Sequence, residues 1–264
     1  MAAELTDLEP LRSLLACEPL GIVSDIDGTL APIVDDPDDA AISARCRALL
    51  HALMAKGVRV ALISGRSLEE ARAMADLPEA LLAANHGLEV WVDGQAETPE
   101  AVREYWQRAR NVVREMAGMH IPGVTAEDKG PALAFHYRQA GQEVDARKAI
   151  LQALRASPSA RDFRVHEGRK VIELRPPLAI DKGTALADLV ARMGARAVLC
   201  LGDDATDVDM FRRVAGLRRG GTPGVNVAVC SAEASPLVLE GADYWVRGVP
   251  GVEWLLGELV TALP

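Results

Sequence analysis

The chain has 264 residues, enough for one large domain or for a core with a smaller second domain. Its composition, 49% hydrophobic and 25% charged, is ordinary for a soluble globular protein. The formal net charge of −9 argues against a general nucleic-acid or anionic-membrane surface, because such a surface needs a basic face.

The cysteines and the apolar segments indicate the cellular compartment. Four scattered cysteines without a CxxC pair predict neither a disulfide framework nor a zinc site, as in a reducing compartment. Cys200 lies in the apolar run AVLCLG and is interpreted as a small buried thiol. The first twenty residues lack the basic segment of an export signal, and no apolar run reaches the roughly 20 residues that cross a bilayer. A cytoplasmic protein is therefore expected.

Strand and helix signals alternate in the first third of the chain. Ser67 and Glu70 have capping-box spacing at the start of the second helix. The acidic run at 35–39 is interpreted as a solvated loop without a functional role. Short apolar strands between helices indicate a parallel sheet that is covered on both faces. The predicted elements are strands at 19–25, 58–64 and 80–85 and helices at 41–57 and 67–77.

The pattern changes after Asn85. Alternating apolar and polar residues around Asp93-Gly94 predict a hairpin within 88–98. A helix, two strands, a second helix and a hairpin that turns at Glu167-Gly168 follow. This order predicts a small α+β unit with an antiparallel sheet. The expected bounds are 99–118, 123–130, 132–138, 143–157 and 162–176.

From Asp181 onward, strands and helices alternate again. The predicted helices lie at 181–194, 206–216 and 252–263, and the strands at 197–204, 225–230 and 243–246. The simplest fold class is α/β, with a doubly wound, Rossmann-like parallel-sheet core that an inserted α+β unit interrupts. The expected domains are residues 1–99 with 179–264 for the core and residues 100–178 for the insertion.

Polar residues stand where the predicted core strands end. In an open α/β sheet, ligands bind beyond the carboxyl ends of the strands, so these residues are expected to gather at one edge. They are Asp25, Asp27 and Thr29; Ser64 and Arg66; Asn85 and His86; Lys182 at the start of a helix; and Asp203, Asp204 and Asp207.

Several carboxylates in one cleft need a cation, and Mg²⁺ prefers such oxygen ligands. Beside the cation, Asp25 is suited to attack a phosphoryl group and form an acyl phosphate. Asp27 is suited to protonate the leaving oxygen and later to deprotonate a water molecule. Thr29 and Ser64 can donate hydrogen bonds to phosphoryl oxygens, and Lys182 supplies positive charge to them.

Each of these features also has an ordinary structural explanation. A DxDG segment occurs in turns and in calcium loops, and a serine at the position of Ser64 commonly begins the turn before a helix. Asp203, Asp204 and Asp207 are suited to cap a helix, as is Asp181. A lysine such as the one at 182 is more often a surface residue.

Taken together, the motifs carry a resemblance to a known superfamily. DIDGTL, the strand ending at Ser64, the Lys182 helix and GDDATD resemble, in this order, the four motifs of the haloacid dehalogenase superfamily of phosphotransferases. The resemblance covers the core halves and implies Asp25 as nucleophile and Asp27 as acid/base. The Mg²⁺ ligands that it implies are Asp25, the main-chain carbonyl of Asp27 and Asp203, with Asp207 in support.

A narrower resemblance covers nearly the whole chain. The segments DIDGTLAPI, ISGRS, ANHGLE, LAFHYR, GRKVIELRP, KGTAL and GDDATDVDMF are together similar to the trehalose-6-phosphate phosphatase family. In that family the inserted unit is a cap that closes over the sugar. Val208 departs from the family pattern, which commonly has Glu at this position. The sugar contacts that the resemblance implies are Lys129, His136, Arg138 and Glu173 from the cap and Arg66, Asn85 and His86 from the core.

The resemblance implies a Mg²⁺-dependent phosphatase of trehalose biosynthesis, which hydrolyses trehalose 6-phosphate through an aspartyl phosphate. Two alternatives stay open: a phosphatase of another sugar phosphate, such as sucrose or glucosylglycerol phosphate, and a catalytically idle regulator that binds sugar phosphate. The expected partner is a small sugar phosphate, with no nucleic acid and no membrane, and a monomer is the default expectation.

Overall fold

The computed structural model describes residues 2–34, 39–118, 120–168, 170–231 and 235–264, so most of the acidic run at 35–39 lies outside the described residues. The chain forms two compact units, Met1–Glu97 with Ile180–Pro264, and Thr98–Ala179. No described helix combines the length and the apolar character needed to span a membrane.

Strands and helices follow one another through both units. The strands are β1 (Ala3–Glu4), β2 (Leu20–Asp25), β3 (Arg59–Ile63), β4 (Leu81–Ala84), β5 (Glu89–Val92), β6 (Gln95–Glu97), β7 (Thr125–Asp128), β8 (Leu133–His136), β9 (Arg164–Gly168), β10 (Val171–Arg175), β11 (Ala197–Gly202), β12 (Gly224–Cys230) and β13 (Tyr244–Arg247). The helices are α1 (Arg12–Leu15), α2 (Ala44–Ala55), α3 (Leu68–Ala75), α4 (Glu100–Met116), α5 (Glu143–Ala156), α6 (Lys182–Met193), α7 (Val208–Arg219), α8 (Pro236–Gly241) and α9 (Gly248–Ala262).

The first unit is built on a nine-stranded sheet in the order β1-β13-β12-β11-β2-β3-β4-β5-β6. Neighbouring strands pair in parallel along β1-β13-β12-β11-β2-β3-β4, and the β5–β6 hairpin adds an antiparallel edge. The chain passes from β2 toward β4 and then returns to β11 on the other side of β2. The carboxyl ends of β2 and β11 therefore flank the point where the strand order reverses, which is where such sheets bind ligands.

Apolar side chains on both faces hold this sheet between helices. Ile22 and Leu199 pack in one apolar cluster with residues of α2 and α9, whereas Val23 and Cys200 pack in another with residues of α6 and α7. Each fully buried large apolar side chain contributes roughly 1.5–3 kcal/mol. The parallel α/β core and the buried Cys200 thiol that the sequence predicts are confirmed.

The second unit contains the antiparallel sheet β7-β8-β10-β9, with α4 and α5. Leu133, Phe135 and Ile172 pack with residues of both helices in one apolar cluster. Alternation along β8 and β10 directs His136 and Glu173 to the other face, which is polar. The predicted α+β unit with an antiparallel sheet is confirmed.

Two predicted bounds in the second unit are wrong. β9 continues through Gly168, which pairs with Val171, so the hairpin does not turn at Glu167-Gly168. The inward alternation of the apolar residues of β10 fixes this register, because a slip by one residue would expose them. The strand predicted to run to 138 ends at His136, and Arg138 lies in the following turn.

Several local signals behave as the sequence predicts. Ser67 and Glu70 form a capping box on α3, and Asp181 caps α6 by accepting a hydrogen bond from the Thr184 N–H group. Asp93 and Gly94 have φ values of 49° and 79° in the two-residue turn between β5 and β6. Left-handed φ at both central positions is characteristic of a type I′ hairpin.

Candidate active site

The first unit brings Asp25, Lys182 and Asp207 into direct contact. Asp25 ends β2, Lys182 opens α6, and Asp207 follows β11, which is the neighbour of β2. The Lys182 Nζ atom lies 2.6 Å from Asp25 Oδ1 and 2.6 Å from Asp207 Oδ1. All three residues are buried. Lys182 is therefore a bridge between two carboxylates and not a surface lysine.

Asp207 also organises the loop that carries Asp203. Its Oδ2 atom accepts hydrogen bonds from the N–H groups of Asp203, at 2.9 Å, and Asp204, at 3.0 Å. Thr29 Oγ1 donates to Asp203 Oδ1 at 3.1 Å. The capping function considered as an alternative is thus real, because Asp204 and Asp207 form a capping box, and the Asp207 carboxylate also holds Lys182.

Two glycines let the carboxylates lie close to the backbone. A Cβ atom on Gly28 would lie 2.1 Å from Asp203 Oδ2, and one on Gly202 would lie 2.5 Å from Asp207 Cβ. Gly28 also has a φ of 87°, which an L side chain rarely adopts. The glycine of the DxDG segment is therefore required by the approach of the Asp203 carboxylate as well as by the turn.

Burial and mutual repulsion perturb the titration of these carboxylates. Burial, followed by the charge of Asp207, raises the pKa of Asp25 well above its usual range and the pKa of Asp203 to about 7. Burial by itself would lower the pKa of Lys182, but the charges of Asp207 and Asp25 raise it above its usual value. Lys182 therefore stays charged, and carboxylates outnumber it.

The cluster has the chemistry of a cation site. Asp25, Asp203 and Asp207 each offer a carboxylate oxygen, and these oxygens lie within 4.8 Å of one another. Hard oxygen donors and an excess of buried negative charge fit a divalent cation such as Mg²⁺. Like charges held this close and this deeply buried are costly unless a cation offsets them.

Asp27 has a different environment from Asp25, although only one residue separates them. Its carboxylate accepts from Arg66 Nε at 3.0 and 2.9 Å and from Arg66 Nη2 at 2.7 Å. The Asp27 side chain is 32% exposed. Ser64, in the same loop as Arg66, is buried, and its Oγ atom accepts from the Arg66 N–H group at 3.1 Å.

Asn85 and His86 form a left-handed turn after β4. Their φ values are 50° and 58°, and Gly87 follows with 103°. Left-handed backbone costs roughly 1–2 kcal/mol for a residue with a side chain. A Cβ atom on Gly65 would lie 2.7 Å from His86 Nε2, so the His86 ring lies against the loop that carries Ser64.

Asn85 itself is buried, and its Nδ2 atom donates to Glu89 Oε2 at 2.6 Å. Burial raises the pKa of Glu89. The sequence interpretation did not select Glu89, although it belongs to the ANHGLE segment. The sequence signal that could have identified Glu89 is a carboxylate at the first position of a strand that is otherwise apolar.

In the second unit, a polar network consists of Glu127, Lys129, His136, Glu173 and Arg175. Lys129 Nζ lies 3.2 Å from Glu173 Oε1 and 3.8 Å from Glu127 Oε1. His136 Nε2 lies 2.7 Å from Glu127 Oε2, and Arg175 Nε donates to Glu173 Oε2 at 2.9 Å. Three sequence candidates, Lys129, His136 and Glu173, thus belong to one network. Glu127 was missed, although it stands two positions before Lys129.

Comparison with known proteins finds a matching family model and similar curated proteins. A family model described as trehalose-phosphatase matches residues 23–237. The chain is 38% identical over 199 residues to a trehalose-phosphate phosphatase of Mycobacterium marinum, covering 72% of this chain and 50% of that protein. The chain therefore spans about half the length of the curated relatives that it matches.

Solved structures agree on the fold. The C-terminal domain of the C. albicans trehalose-6-phosphate phosphatase is similar with a TM-score of 0.77 and 23% identity, covering 99% of this chain and 98% of that one. The trehalose-6-phosphate phosphatase of Aspergillus fumigatus is similar with a TM-score of 0.65 and 26% identity, covering 99% of this chain and 100% of that one.

Proposed function

This chain belongs to the trehalose-phosphatase family, and we propose that it hydrolyses trehalose 6-phosphate to trehalose and inorganic phosphate. The observation that carries the proposal is the buried contact of Lys182 with Asp25 and Asp207, beside Asp203. It brings together a carboxylate suited to act as nucleophile, a fixed positive charge and oxygen donors suited to a cation, which are the parts that phosphoryl transfer needs.

The residues that would hold Mg²⁺ are Asp25, Asp203 and the main-chain carbonyl of Asp27, with Asp207 in support. When bound, the ion supplies positive charge that lets an anionic phosphate approach a carboxylate and that offsets charge in the transition state. Thr29, Ser64 and Lys182 are proposed to contact the phosphoryl oxygens.

The first half of the reaction transfers the phosphoryl group to the protein. A carboxylate oxygen of Asp25 forms a bond to phosphorus while the bond from phosphorus to the sugar oxygen breaks. Asp27 gives a proton to that sugar oxygen, which leaves as the hydroxyl group of trehalose. Lys182, held in place by Asp207, keeps the Asp25 carboxylate oriented for the attack.

The second half restores the protein. Asp27, now a carboxylate, takes a proton from a water molecule whose oxygen attacks phosphorus. The bond from phosphorus to Asp25 breaks, and inorganic phosphate leaves. Arg66 contacts both oxygens of Asp27 and so sets the direction in which this carboxylate exchanges its proton.

The second unit is proposed to act as the cap that selects the sugar, with domains of residues 1–99 with 179–264 and of residues 100–178. Its polar network offers charged donors and acceptors, which suit the hydroxyl groups of a disaccharide. The sugar contacts that we propose are Lys129, His136, Arg138 and Glu173 from the cap and Arg66, Asn85 and His86 from the first unit.

A substrate panel tests this proposal. The purified protein is given trehalose 6-phosphate, sucrose 6-phosphate or glucose 6-phosphate, with Mg²⁺ or with EDTA, and released phosphate is measured. We expect rapid release from trehalose 6-phosphate only, and none in EDTA. Equal turnover of another sugar phosphate would contradict the substrate assignment, and tight binding of trehalose 6-phosphate without release would identify an idle regulator.

A further inference from the structure

The strained turn after β4 is connected to the loop after β3 by backbone hydrogen bonds. The Asn85 N–H group donates to the Arg66 carbonyl at 2.8 Å, and the His86 N–H group donates to the Ser64 carbonyl at 3.0 Å. Asn85 and His86 make both bonds while their backbone is in the left-handed conformation. Strained backbone that persists at a site is held there by its surroundings.

Glu89 is one part of those surroundings. It is 6% exposed, and its Oε2 atom accepts from the Asn85 side chain at 2.6 Å, which is short for such a bond. A buried carboxylate is retained in an apolar strand only at a cost, which hydrogen bonding has to offset. Glu89 carries no role in the reaction proposed above, so another function for it is open.

A continuous set of contacts leads from Glu89 to the acid/base residue. Glu89 fixes the side chain of Asn85, the Asn85 N–H group fixes the Arg66 carbonyl, and the Arg66 guanidinium contacts both oxygens of Asp27. The Arg66 backbone is also held by Ser64, whose Oγ atom accepts from the Arg66 N–H group. Each hydrogen bond in this set is 3.1 Å or shorter, and the covalent structure of Asn85 and of Arg66 joins one bond to the next.

We propose that Glu89 is a positioning residue, which acts through Asn85 and Arg66 to orient Asp27 for proton transfer. The inference rests on the proposed function in taking Asp27 as the acid/base, but it does not depend on which sugar is released. It predicts that, in the transfer of the phosphoryl group to Asp25, Glu89 matters most where the leaving oxygen needs a proton, and little where it does not.

Two substrates with different leaving groups therefore distinguish a positioning role of Glu89 from a role in folding. For Glu89→Ala we expect kcat/KM for trehalose 6-phosphate to fall about tenfold to a hundredfold, part of the full contribution that general acid–base catalysis makes. The kcat/KM for 4-nitrophenyl phosphate, which reports the transfer step and whose phenolate leaves without a proton, should fall less than about threefold. Glu89→Gln, which still offers an acceptor to Asn85, should restore most of the turnover of trehalose 6-phosphate.

Asp243→Ala is the matched control in the same unit. Asp243 contacts Arg218 through both carboxylate oxygens and accepts from the Asn226 N–H group, so its loss removes a structural carboxylate far from β5 in the sheet order. It should lower the melting temperature while affecting both substrates equally. If Glu89→Ala behaves in the same way, Glu89 is structural only, and the inference is overturned.

A double-mutant cycle gives the second test. With Asp27→Asn as background, no acid/base remains to be oriented, so Glu89→Ala should cause little further loss of turnover. If Glu89→Ala causes equal losses of turnover in the presence and absence of Asp27, the proposed action of Glu89 through Asp27 is overturned, because the effects of independent sites are additive. A wild-type protein that fails on trehalose 6-phosphate but hydrolyses another sugar phosphate would refute the proposed substrate only, since the cycle can be measured with that sugar phosphate.

Discussion

Each unit of the chain holds one lysine between two carboxylates, and the two clusters differ in charge. Lys182 lies 2.6 Å from both Asp25 and Asp207, whereas Lys129 lies 3.2 Å from Glu173 and 3.8 Å from Glu127. Around Lys182 the carboxylates, with Asp203 added, outnumber the cation. Around Lys129 each carboxylate has a second basic partner, which is His136 or Arg175.

This difference in charge suits the two clusters to different functions. An excess of buried negative charge that a single lysine does not neutralise suits a metal ion and a phosphoryl group. A balanced, partly exposed network suits hydroxyl groups, because its members can exchange one partner for another. We therefore expect variants of the Lys182 cluster to change the reaction and variants of the Lys129 network to change the choice of substrate.

The largest effect is expected at the nucleophile. Asp25→Asn should lower turnover of every phosphate ester by about 10⁴-fold or more, as removal of a nucleophile typically does. Its fold should persist, because the change removes a repelling buried charge. Glu127→Gln is the matched carboxylate change in the second unit, and it should leave 4-nitrophenyl phosphate hydrolysis nearly intact. Substantial phosphate release by the Asp25 variant would refute the assignment.

The two lysines should differ next in stability. Lys182→Met leaves buried carboxylates without their partner, which costs about 3–5 kcal/mol of unfolding free energy. Lys129→Met should cost about 1 kcal/mol, because His136 and Arg175 still pair with its carboxylates. Urea unfolding in EDTA at neutral pH measures both. Equal losses for the two variants would show that the clusters do not differ as their contacts indicate.

The metal-free protein should also lose stability as the pH rises. Between its usual pKa of 3.8 and its folded value of about 7, Asp203 binds more protons in the folded state than in the unfolded state. Stability is then greatest below this window and falls through it. Melting temperatures in EDTA should show this slope, Asp203→Asn should reduce it, and Mg²⁺ should oppose it. A slope that the Asn variant leaves unchanged would assign it to other groups.

The smallest effect is expected at Glu173. Glu173→Gln should raise the KM for trehalose 6-phosphate about tenfold, the usual scale for one charged hydrogen bond to a ligand. The kcat should change little, and 4-nitrophenyl phosphate, which has no sugar, should be unaffected. Steady-state kinetics with both substrates decides this, and equal losses on both would remove Glu173 from substrate selection.

The parallel core could be predicted because its signals are local. Apolar strands such as β2 and β11 are continuous in sequence, and the capping box at Ser67 and Glu70 marks a helix start within four residues. β1 was not predicted, because two residues carry no periodicity, and its place in the sheet depends on pairing with β13 far along the chain.

The candidate site could be predicted as a set of residue types but not as a set of contacts. Motif order brought together Asp25, Lys182 and Asp203, yet nothing in it showed that Asp27 faces Arg66. Glu89 and Glu127 were missed for the same reason, because their partners are chosen by backbone turns and strand register. Spacing along the sequence specifies which faces residues occupy and leaves open which neighbours they meet.

Covalent capture of the phosphoryl group tests the central claim most directly. The protein is mixed with trehalose 6-phosphate and Mg²⁺, quenched in acid within one turnover, digested and analysed by mass spectrometry. We predict one phosphoryl group on Asp25, and none when Asp25→Asn is used. A phosphoryl group on another residue, or phosphate release without any protein adduct, would contradict the account.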